Sequence, residues 1–161
     1  MDNVVKVGMA DMCALKHPGM LTTLGLGSCV GIALYDSREK VIGLAHIMLP
    51  SSTQARNTSN VAKFADTAVE RLMKDMIKLG AKKRNIVAKL AGGAQMFAFA
   101  STSDIMRIGS RNVEAVKQKL RDMNISIVAE HTGGNFGRTV EFYSGDGRFL
   151  VKTIGRGIKQ I

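Results

Sequence analysis

The sequence contains few aromatic residues and few cysteines. Aromatic side chains make up 5% of the 161 residues and tryptophan is absent, so a core must be built from Val, Ile, Leu, Met and Ala. An apolar content of 45% is sufficient for such a core and excludes a wholly disordered chain. The two cysteines are too few for a disulfide framework. The length is typical of one domain, residues 1–161.

The sequence also lacks the patterns of a secretory signal and of a membrane span. Its first twelve residues show no basic stretch followed by an apolar one. The longest uncharged stretch, residues 17–35, contains a proline, several glycines and hydroxyl residues, which suit hydrocarbon poorly. We therefore expect a soluble, cytoplasmic protein with reduced thiols and no membrane insertion.

Acidic residues are scarce relative to basic ones. The 13 Asp and Glu stand against 23 Lys and Arg, which gives a formal net charge of +10. Such a balance favours an acidic partner, whether nucleic acid, an anionic membrane or an acidic protein. The basic residues are spread along the chain, and no aromatic-rich β-motif for RNA is present. A nucleic-acid-binding domain is therefore the disfavoured interpretation.

Hydrophobic periodicity predicts a layered α/β domain. Apolar runs at 28–35 and 41–49 predict a hairpin around the polar residues 36–40. The other predicted elements are a first strand over Val5, Val7 and Met9, a loop at 51–60, a helix at 61–77 ending at Gly80, a strand at 86–91, a helix around 113–123 capped by Ser110 or Asn112, a strand at 125–130, and a second hairpin from 139–143 and 148–154. Two helices among hairpins indicate mixed, largely antiparallel sheets.

The most informative segment is TTLGLGSCVG, residues 22–31. Its glycines fit neither the dinucleotide fingerprint nor a Walker loop, so phosphate binding is disfavoured. Residues 27–31 have the pattern G-x-C-x-G, which is the thiol form of a nucleophile elbow. A true elbow needs a helix after the nucleophile, whereas the residues after Cys29 favour a strand. The α/β-hydrolase fold is therefore disfavoured, but a thiol nucleophile is not.

The predicted hairpin relates Cys29 to His46. If Ser37 and Arg38 form a two-residue turn, Cys29 and His46 are direct cross-strand neighbours with Cβ atoms roughly 4.5–5.5 Å apart. A register longer by two residues leaves them diagonal neighbours on one face, and a shift by one residue separates them. An adjacent imidazolium would stabilise the attacking thiolate.

Spacing alone leaves the catalytic and the structural interpretation of this pair equally open. A lone cysteine in an apolar strand is more often a small core residue, and a lone histidine there is usually structural. A third polar group commonly orients a catalytic imidazole. No carboxylate occurs between Met12 and Tyr35, so the nearby candidates are the hydroxyl groups of Thr22, Thr23 and Ser28.

The remaining polar candidates have structural interpretations. We expect Cys13 to pack in the core and His17 to lie in a loop, as a reserve for the base. His131 is expected in a turn, and Arg138 and the basic cluster 82–84 are expected to be solvated. No histidine has a metal-ligand spacing, so no metal or cofactor is expected.

Several segments together resemble one protein family. The run TTLGLGSCVGIALYD at 22–36, followed by AHIMLP at 45–50, resembles the CheD family of chemoreceptor glutamine deamidases. The resemblance continues in order and spacing over nearly the whole chain, in GGAQMF at 92–97, IGSRN at 108–112, GGNFGRTVEF at 133–142 and a short hairpin ending in VKT.

The resemblance implies a cysteine hydrolase with a Cys-His-Thr triad. It implies a three-layer α/β/α sandwich similar to the catalytic domain of cytotoxic necrotising factor toxins. Carried over residue by residue, Cys29 is the nucleophile and His46 is the base. Thr23 orients His46, with Thr22 as the competing choice because the two threonines are adjacent.

The implied reaction converts glutamine side chains of chemoreceptors to glutamate through a thioester on the cysteine. The backbone N–H groups of Gly27 and Ser28 are candidates for holding the oxyanion. The same site would hydrolyse a glutamate methyl ester. The implied partners are the cytoplasmic helices of chemoreceptors and CheC, the phosphatase of phosphorylated CheY. A non-catalytic regulatory module that binds CheC is the alternative.

Overall fold

The computed structural model describes residues 3–53, 55–96 and 107–161. Phe97, the last residue of GGAQMF, lies outside these ranges. The described residues form ten strands and two α-helices. The strands are β1 Asn3–Lys6, β2 Asp11–Lys16, β3 Gly19–Leu26, β4 Val30–Asp36, β5 Val41–Ile47, β6 Ile86–Gly92, β7 Ser126–Thr132, β8 Arg138–Tyr143, β9 Phe149–Thr153 and β10 Gly157–Gln160; the helices are α1 Ala65–Lys78 and α2 Ile108–Asp122.

The strands form two five-stranded sheets. The first sheet has the order β1-β3-β8-β9-β10 and the second the order β2-β5-β4-β6-β7. Only β1 with β3 and β6 with β7 pair in parallel among the described strands. The prediction of mixed, largely antiparallel sheets in an α/β fold is therefore confirmed.

The second sheet is covered on both faces. On its outer face, Val30 and Ile47 pack in one apolar cluster with residues of α1 and α2. On its inner face, Ala33 and Leu44 pack against the first sheet. The strands β4 and β5 are buried along nearly their whole length for this reason.

The order of the layers differs from the one that the resemblance implies. Both described helices lie on the outer face of the second sheet, so the layers are helices, second sheet and first sheet. The physical reason lies in β8, where buried and half-buried residues alternate. The first sheet thus has one buried face and needs no helix on the other. The likeness to the toxin domain stays a prediction.

The predicted helix at 61–77 is confirmed, with a short 3₁₀ turn at Val61–Lys63 before α1. Its apolar stripe faces the second sheet, and Ala68, Leu72 and Met76 are fully buried. Helix α1 ends just before Gly80, as predicted. None of the helices in the described ranges is long and apolar enough to cross a membrane.

The second helix begins earlier than its pattern predicts. Helix α2 starts at Ile108, so the proposed caps Ser110 and Asn112 lie inside it, and both cap predictions are wrong. Gly109 explains the early start, because its missing side chain lets the first turn pack directly on the carbonyl groups of Gly93 and Ala94.

Three described strands escaped the sequence prediction. Glycines and threonines conceal the alternation in β3, and β10 is exposed along its whole length, so it has no apolar pattern. The half-buried strand β2 was also missed. The predicted first strand over residues 5–9 begins and ends earlier, as β1.

The register of the β4–β5 hairpin is longer by two residues than the one that makes Cys29 and His46 direct neighbours. Gly31 lies opposite His46, and four residues, 37–40, connect the strands. Of the registers considered, the structure has the one that is longer by two residues, and the two-residue turn is not formed. The carboxylate of Asp36 accepts the N–H groups of Arg38 and Glu39, both at 3.0 Å, and Lys40 has a φ of 53°. These contacts stabilise the longer turn.

Candidate active site

Cys29 lies in the bend between β3 and β4, where it lines a pocket of about 320 Å³. Its side chain is largely buried, with 7% of the residue exposed. Two hydrogen bonds join this bend to the end of β6. The carbonyl of Cys29 accepts from Gly93 N–H, and that of Gly27 accepts from Ala94 N–H, both at 2.8 Å. The backbone on both sides of the thiol is therefore held in place.

His46 lies near the end of β5 and is fully buried on the inner face of the second sheet. Its Nδ1 atom is 2.7 Å from the hydroxyl oxygen of Thr23. Its Nε2 atom has no hydrogen-bond partner within the described ranges. A buried ring nitrogen without a partner lowers the stability of the fold, and a catalytic role, in which the nitrogen binds a proton during the reaction, accounts for it.

The hydroxyl of Thr23 determines which ring nitrogen carries the proton. Its oxygen is 2.6 Å from the carbonyl oxygen of Val7, which can only accept a hydrogen bond. The single hydroxyl hydrogen therefore goes to Val7, and the hydroxyl oxygen accepts from His46 Nδ1–H. The neutral imidazole then has a bare Nε2, the form that acts as a general base.

The two adjacent threonines have different contacts. The hydroxyl of Thr22 donates to the carbonyl of Val140 at 2.7 Å, whereas Thr23 contacts His46. Successive residues of a strand point to opposite faces, so only one of the pair can face the inner layer. Of the three hydroxyl candidates, Thr23 is the one that the structure brings to His46.

Cys29 and His46 lie on the same face as diagonal neighbours. Continuing the β4–β5 register places Cys29 opposite Met48, one rung beyond the last ladder pair, Val30 with Ile47. No hydrogen bond joins Cys29 Sγ to His46 Nε2 in the described part of the chain. Catalytic hydrogen bonds are often long without substrate and tighten in the complex, so this geometry is compatible with proton transfer.

Burial favours the neutral forms of both Cys29 and His46. It raises the pKa of the Cys29 thiol above the ordinary value of 9.0, against a smaller lowering by the residue's own backbone N–H. It lowers the pKa of His46 below the ordinary value of 6.5. Burial therefore disfavours the expected imidazolium–thiolate pair. The geometry and burial favour a neutral thiol whose proton passes to Nε2 during attack.

The two backbone candidates for the oxyanion differ in availability. Gly27 N–H already donates to the carbonyl of Gly25 at 3.0 Å. Ser28 N–H has no protein acceptor in the ranges that the structure describes. A free donor next to the candidate nucleophile Cys29 suits a developing negative charge, so Ser28 is the better placed of the two.

The other polar candidates lie apart from His46 or serve the framework. His17 follows the last residue of β2, whereas His46 pairs with Asp11 at the first residue of that strand. The Nδ1 atom of His17 is 2.7 Å from the hydroxyl oxygen of Ser144. Cys13 packs against the inter-sheet cluster, as expected. No three His, Cys, Asp or Glu side chains come together as metal ligands within residues 3–53, 55–96 and 107–161.

Arg138 is buried, with 3% exposed, so the prediction of a solvated charge is wrong. Its guanidinium donates to the carbonyl of Gly133 and to His131 Nδ1, both at 2.8 Å, and to the carbonyl of Gly92 at 3.4 Å. It thereby joins the turn at Gly133 to the end of β6 at Gly92. A strand arginine gives no sequence signal for these contacts, and the one to Gly92 joins residues distant in the chain.

Asn112 is the second buried polar group that sequence reasoning missed. It was considered only as a cap, yet it is fully buried on the inner side of α2. A signal was present, because Asn112 stands four residues before Val116 and eight before Leu120, within an otherwise apolar stripe. A polar residue in such a stripe needs a buried partner.

The fold and site define a class of protein, an α/β sandwich with a buried cysteine beside a threonine-oriented histidine. A family model described as CheD chemotactic sensory transduction matches residues 48–153. The chain is 60% identical over 158 residues, 98% of each chain, to the probable chemoreceptor glutamine deamidase CheD of Caldanaerobacter subterraneus subsp. tengcongensis. This chain belongs to the CheD family.

Two further relatives cover the whole chain. One is the probable chemoreceptor glutamine deamidase CheD of Lachnoclostridium phytofermentans, 53% identical over 161 residues and 100% of both chains. The other is the chemoreceptor glutamine deamidase CheD of Halalkalibacterium halodurans, 52% identical over 162 residues and likewise 100% of both chains. The family model begins at Met48, whereas these relatives also extend over Cys29 and His46.

Proposed function

We propose that this chain is a cytoplasmic chemoreceptor glutamine deamidase, a single domain over residues 1–161, with Cys29, His46 and Thr23 as its triad. The observation that carries the proposal is the hydrogen-bonded series from Val7 carbonyl through Thr23 to His46. This series leaves a bare Nε2 on the same sheet face as Cys29, which lines a pocket. The names of the relatives support the same reaction.

The first half of the reaction forms a thioester. Cys29 Sγ attacks the carboxamide carbon of a substrate glutamine while His46 Nε2 takes the thiol proton. Thr23 accepts from Nδ1–H and so stabilises the imidazolium that results. Ser28 N–H is our candidate donor to the oxyanion. The tetrahedral intermediate collapses when His46 gives its proton to the amino group, and ammonia leaves.

The second half releases glutamate. A water molecule attacks the thioester carbon and gives a proton to His46 Nε2, which returns it to the leaving sulfur. The product carboxylate departs and the thiol is restored. A glutamate methyl ester would follow the same course with methanol as the leaving group, so methylesterase activity belongs to the proposal. The chemistry requires no metal or cofactor.

The surface around the pocket supports a protein substrate. Met9 and Met96 line the pocket yet are 58% and 47% exposed, and Leu24, which precedes the lining residue Gly25, is 58% exposed. Apolar side chains grouped at a pocket mouth are typical of a contact surface. They would suit the apolar side of an amphipathic chemoreceptor helix, and the net charge of +10 would suit its acidic side.

The decisive experiment is mass spectrometry of a folded chemoreceptor cytoplasmic fragment after incubation with the purified protein. Each converted glutamine gains roughly one dalton as the cysteine route replaces the amide by an acid. We expect this gain with the natural chain and with Cys13→Ala, the matched control at the other cysteine. We expect none with Cys29→Ala.

No gain on a cognate receptor would contradict the deamidase proposal. The partnership with CheC, which the family resemblance implies, is tested separately by a binding titration with Cys29→Ala. Binding without any deamidation by the natural chain would favour the non-catalytic regulatory module.

A further inference from the structure

Asn112 connects the two segments that carry Cys29 and His46. Its amide nitrogen donates to the carbonyl of Ser28 and to the carbonyl of Met48, both at 2.9 Å. Ser28 directly precedes Cys29, and Met48 follows His46 by two residues. Both hydrogens of one NH₂ group are thus used to hold two different chain segments.

This bridge occupies a particular place in the hairpin. The ladder of β4 and β5 ends at the pair Val30 and Ile47, and the next positions are Cys29 and Met48. Past that point Met48 N–H turns away to the carbonyl of Lys63. Asn112 therefore joins the two segments just beyond the last ladder pair, next to Cys29.

Helix α2 is itself held firmly enough to act as a support. Gly109, at its first turn, packs so closely on Gly93 and Ala94 that a Cβ there would collide with their carbonyl oxygens. Asn112 lies one turn further on and is fully buried. Its Oδ1 has no hydrogen-bond partner in the described part of the chain. An unsatisfied buried oxygen lowers the stability of the fold, so an apolar residue would serve better if this position were only for packing.

We propose that Asn112 is a positioning residue that sets the separation of Cys29 from His46. The inference rests on the proposed function of that pair. Asn112 acts through the backbone at Ser28 and Met48. Being fully buried, it has no access to a substrate in the pocket, so its loss should change kcat and leave KM nearly constant.

The test replaces the amide by groups that cannot hold both carbonyls. Asn112→Asp keeps the shape but removes both donated hydrogens. We expect kcat for deamidation to fall about 10- to 100-fold, the usual cost of displacing reacting groups by about an ångström, with KM within about twofold. Asn112→Ser, smaller and uncharged, tests the same loss if the first variant folds poorly.

A matched control separates position from stability. Val116→Ala removes apolar volume one turn further along α2, at another fully buried site. We expect it to lower the unfolding midpoint while kcat stays within about twofold below that midpoint. If Asn112→Asp and Asn112→Ser reduce kcat no more than Val116→Ala does, the positioning role is overturned.

A second readout does not depend on the receptor. The rate of Cys29 alkylation by iodoacetamide, followed by peptide mass mapping to distinguish Cys13, reports how well His46 takes the thiol proton. We expect Asn112→Asp to slow alkylation toward the rate of His46→Gln. An unchanged alkylation rate contradicts the positioning role even where deamidation by the natural chain is intact. A slowed rate supports it even where no receptor is deamidated.

Discussion

The two faces of the second sheet are built from the same strands and serve different purposes. Along β5, Ala45 and Ile47 face the helices in an entirely apolar cluster, whereas His46 between them faces the first sheet. The inner layer also contains Thr23 and Cys29. Alternation along one strand therefore places the packing residues and the proposed chemical residues side by side.

The two faces are stabilised in different ways, which explains why the polar site can be fully buried. The helix-facing layer supplies apolar burial that stabilises the fold, since each fully buried large side chain contributes about 1.5–3 kcal/mol. The inner layer accommodates polar atoms only where hydrogen bonds satisfy them, as between Val7, Thr23 and His46. Substitutions on the two faces should accordingly affect different measurements.

The largest expected effect is at His46, the proposed base on the inner face. We expect His46→Gln to reduce kcat for deamidation by about 10²- to 10⁴-fold, because the thiol proton then has no acceptor. Steady-state assays with a receptor fragment measure this. A variant that retains more than a tenth of the activity would contradict His46 as the base.

The next largest effect is expected at Thr23, the residue proposed to orient His46. Thr23→Val removes the partner of His46 Nδ1, and we expect kcat to fall about 10- to 100-fold because the imidazole loses its fixed tautomer. Thr22→Val is the matched control, since it loses only a hydrogen bond to Val140. Equal losses of activity in the two variants would show that Thr23 has no special role.

The outer face should show the opposite behaviour. Leu72→Ala in α1 removes a fully buried side chain, and we expect the free energy of unfolding to fall by about 2–5 kcal/mol. Below the unfolding midpoint, kcat should stay within about twofold, because Leu72 packs on the helix side of the sheet. Urea denaturation and activity assays on one preparation make the comparison. A large drop in kcat in the folded variant would mean that the two faces are coupled.

The smallest expected effect concerns pH. Burial lowers the pKa of His46 below 6.5, so the neutral base persists into mildly acid solution and the acid limb of kcat/KM should lie below pH 6.5. The unfolded chain, with an ordinary histidine, binds more protons in that window. The free energy of unfolding therefore falls as pH drops from 6.5 through the lowered pKa.

The variant His46→Gln isolates the contribution of His46 to the pH dependence of stability from that of the other titratable groups. The variant should lose the part of the pH-dependence of stability that arises between pH 6.5 and the lowered pKa. Urea midpoints at pH 7.5 and 5.5 measure it. An acid limb well above pH 6.5 would indicate that His46 is stabilised as an imidazolium, contrary to its burial.

Sequence periodicity predicted the elements whose burial is regular. The stripe of α1 and the second hairpin, now β8 and β9, were located because one face of each is continuously apolar. The exposed strand β10 and the glycine-containing β3 gave no such pattern. The start of α2 was displaced because a tertiary contact at Gly109, not a capping residue, determines it.

The sequence by itself determined the α/β class, the apolar stripe of α1 and a set of candidate polar residues, because these follow from local periodicity and residue chemistry. Only the tertiary structure decided that Gly31 pairs with His46 and that Thr23, not Thr22, contacts it. Only the tertiary structure showed that Asn112 and Arg138 are buried against carbonyl groups distant in the chain, those of Ser28 and Gly92 respectively. Turn hydrogen bonds and packing between segments remote in the chain set these features, and hydrophobic periodicity carries no information about them.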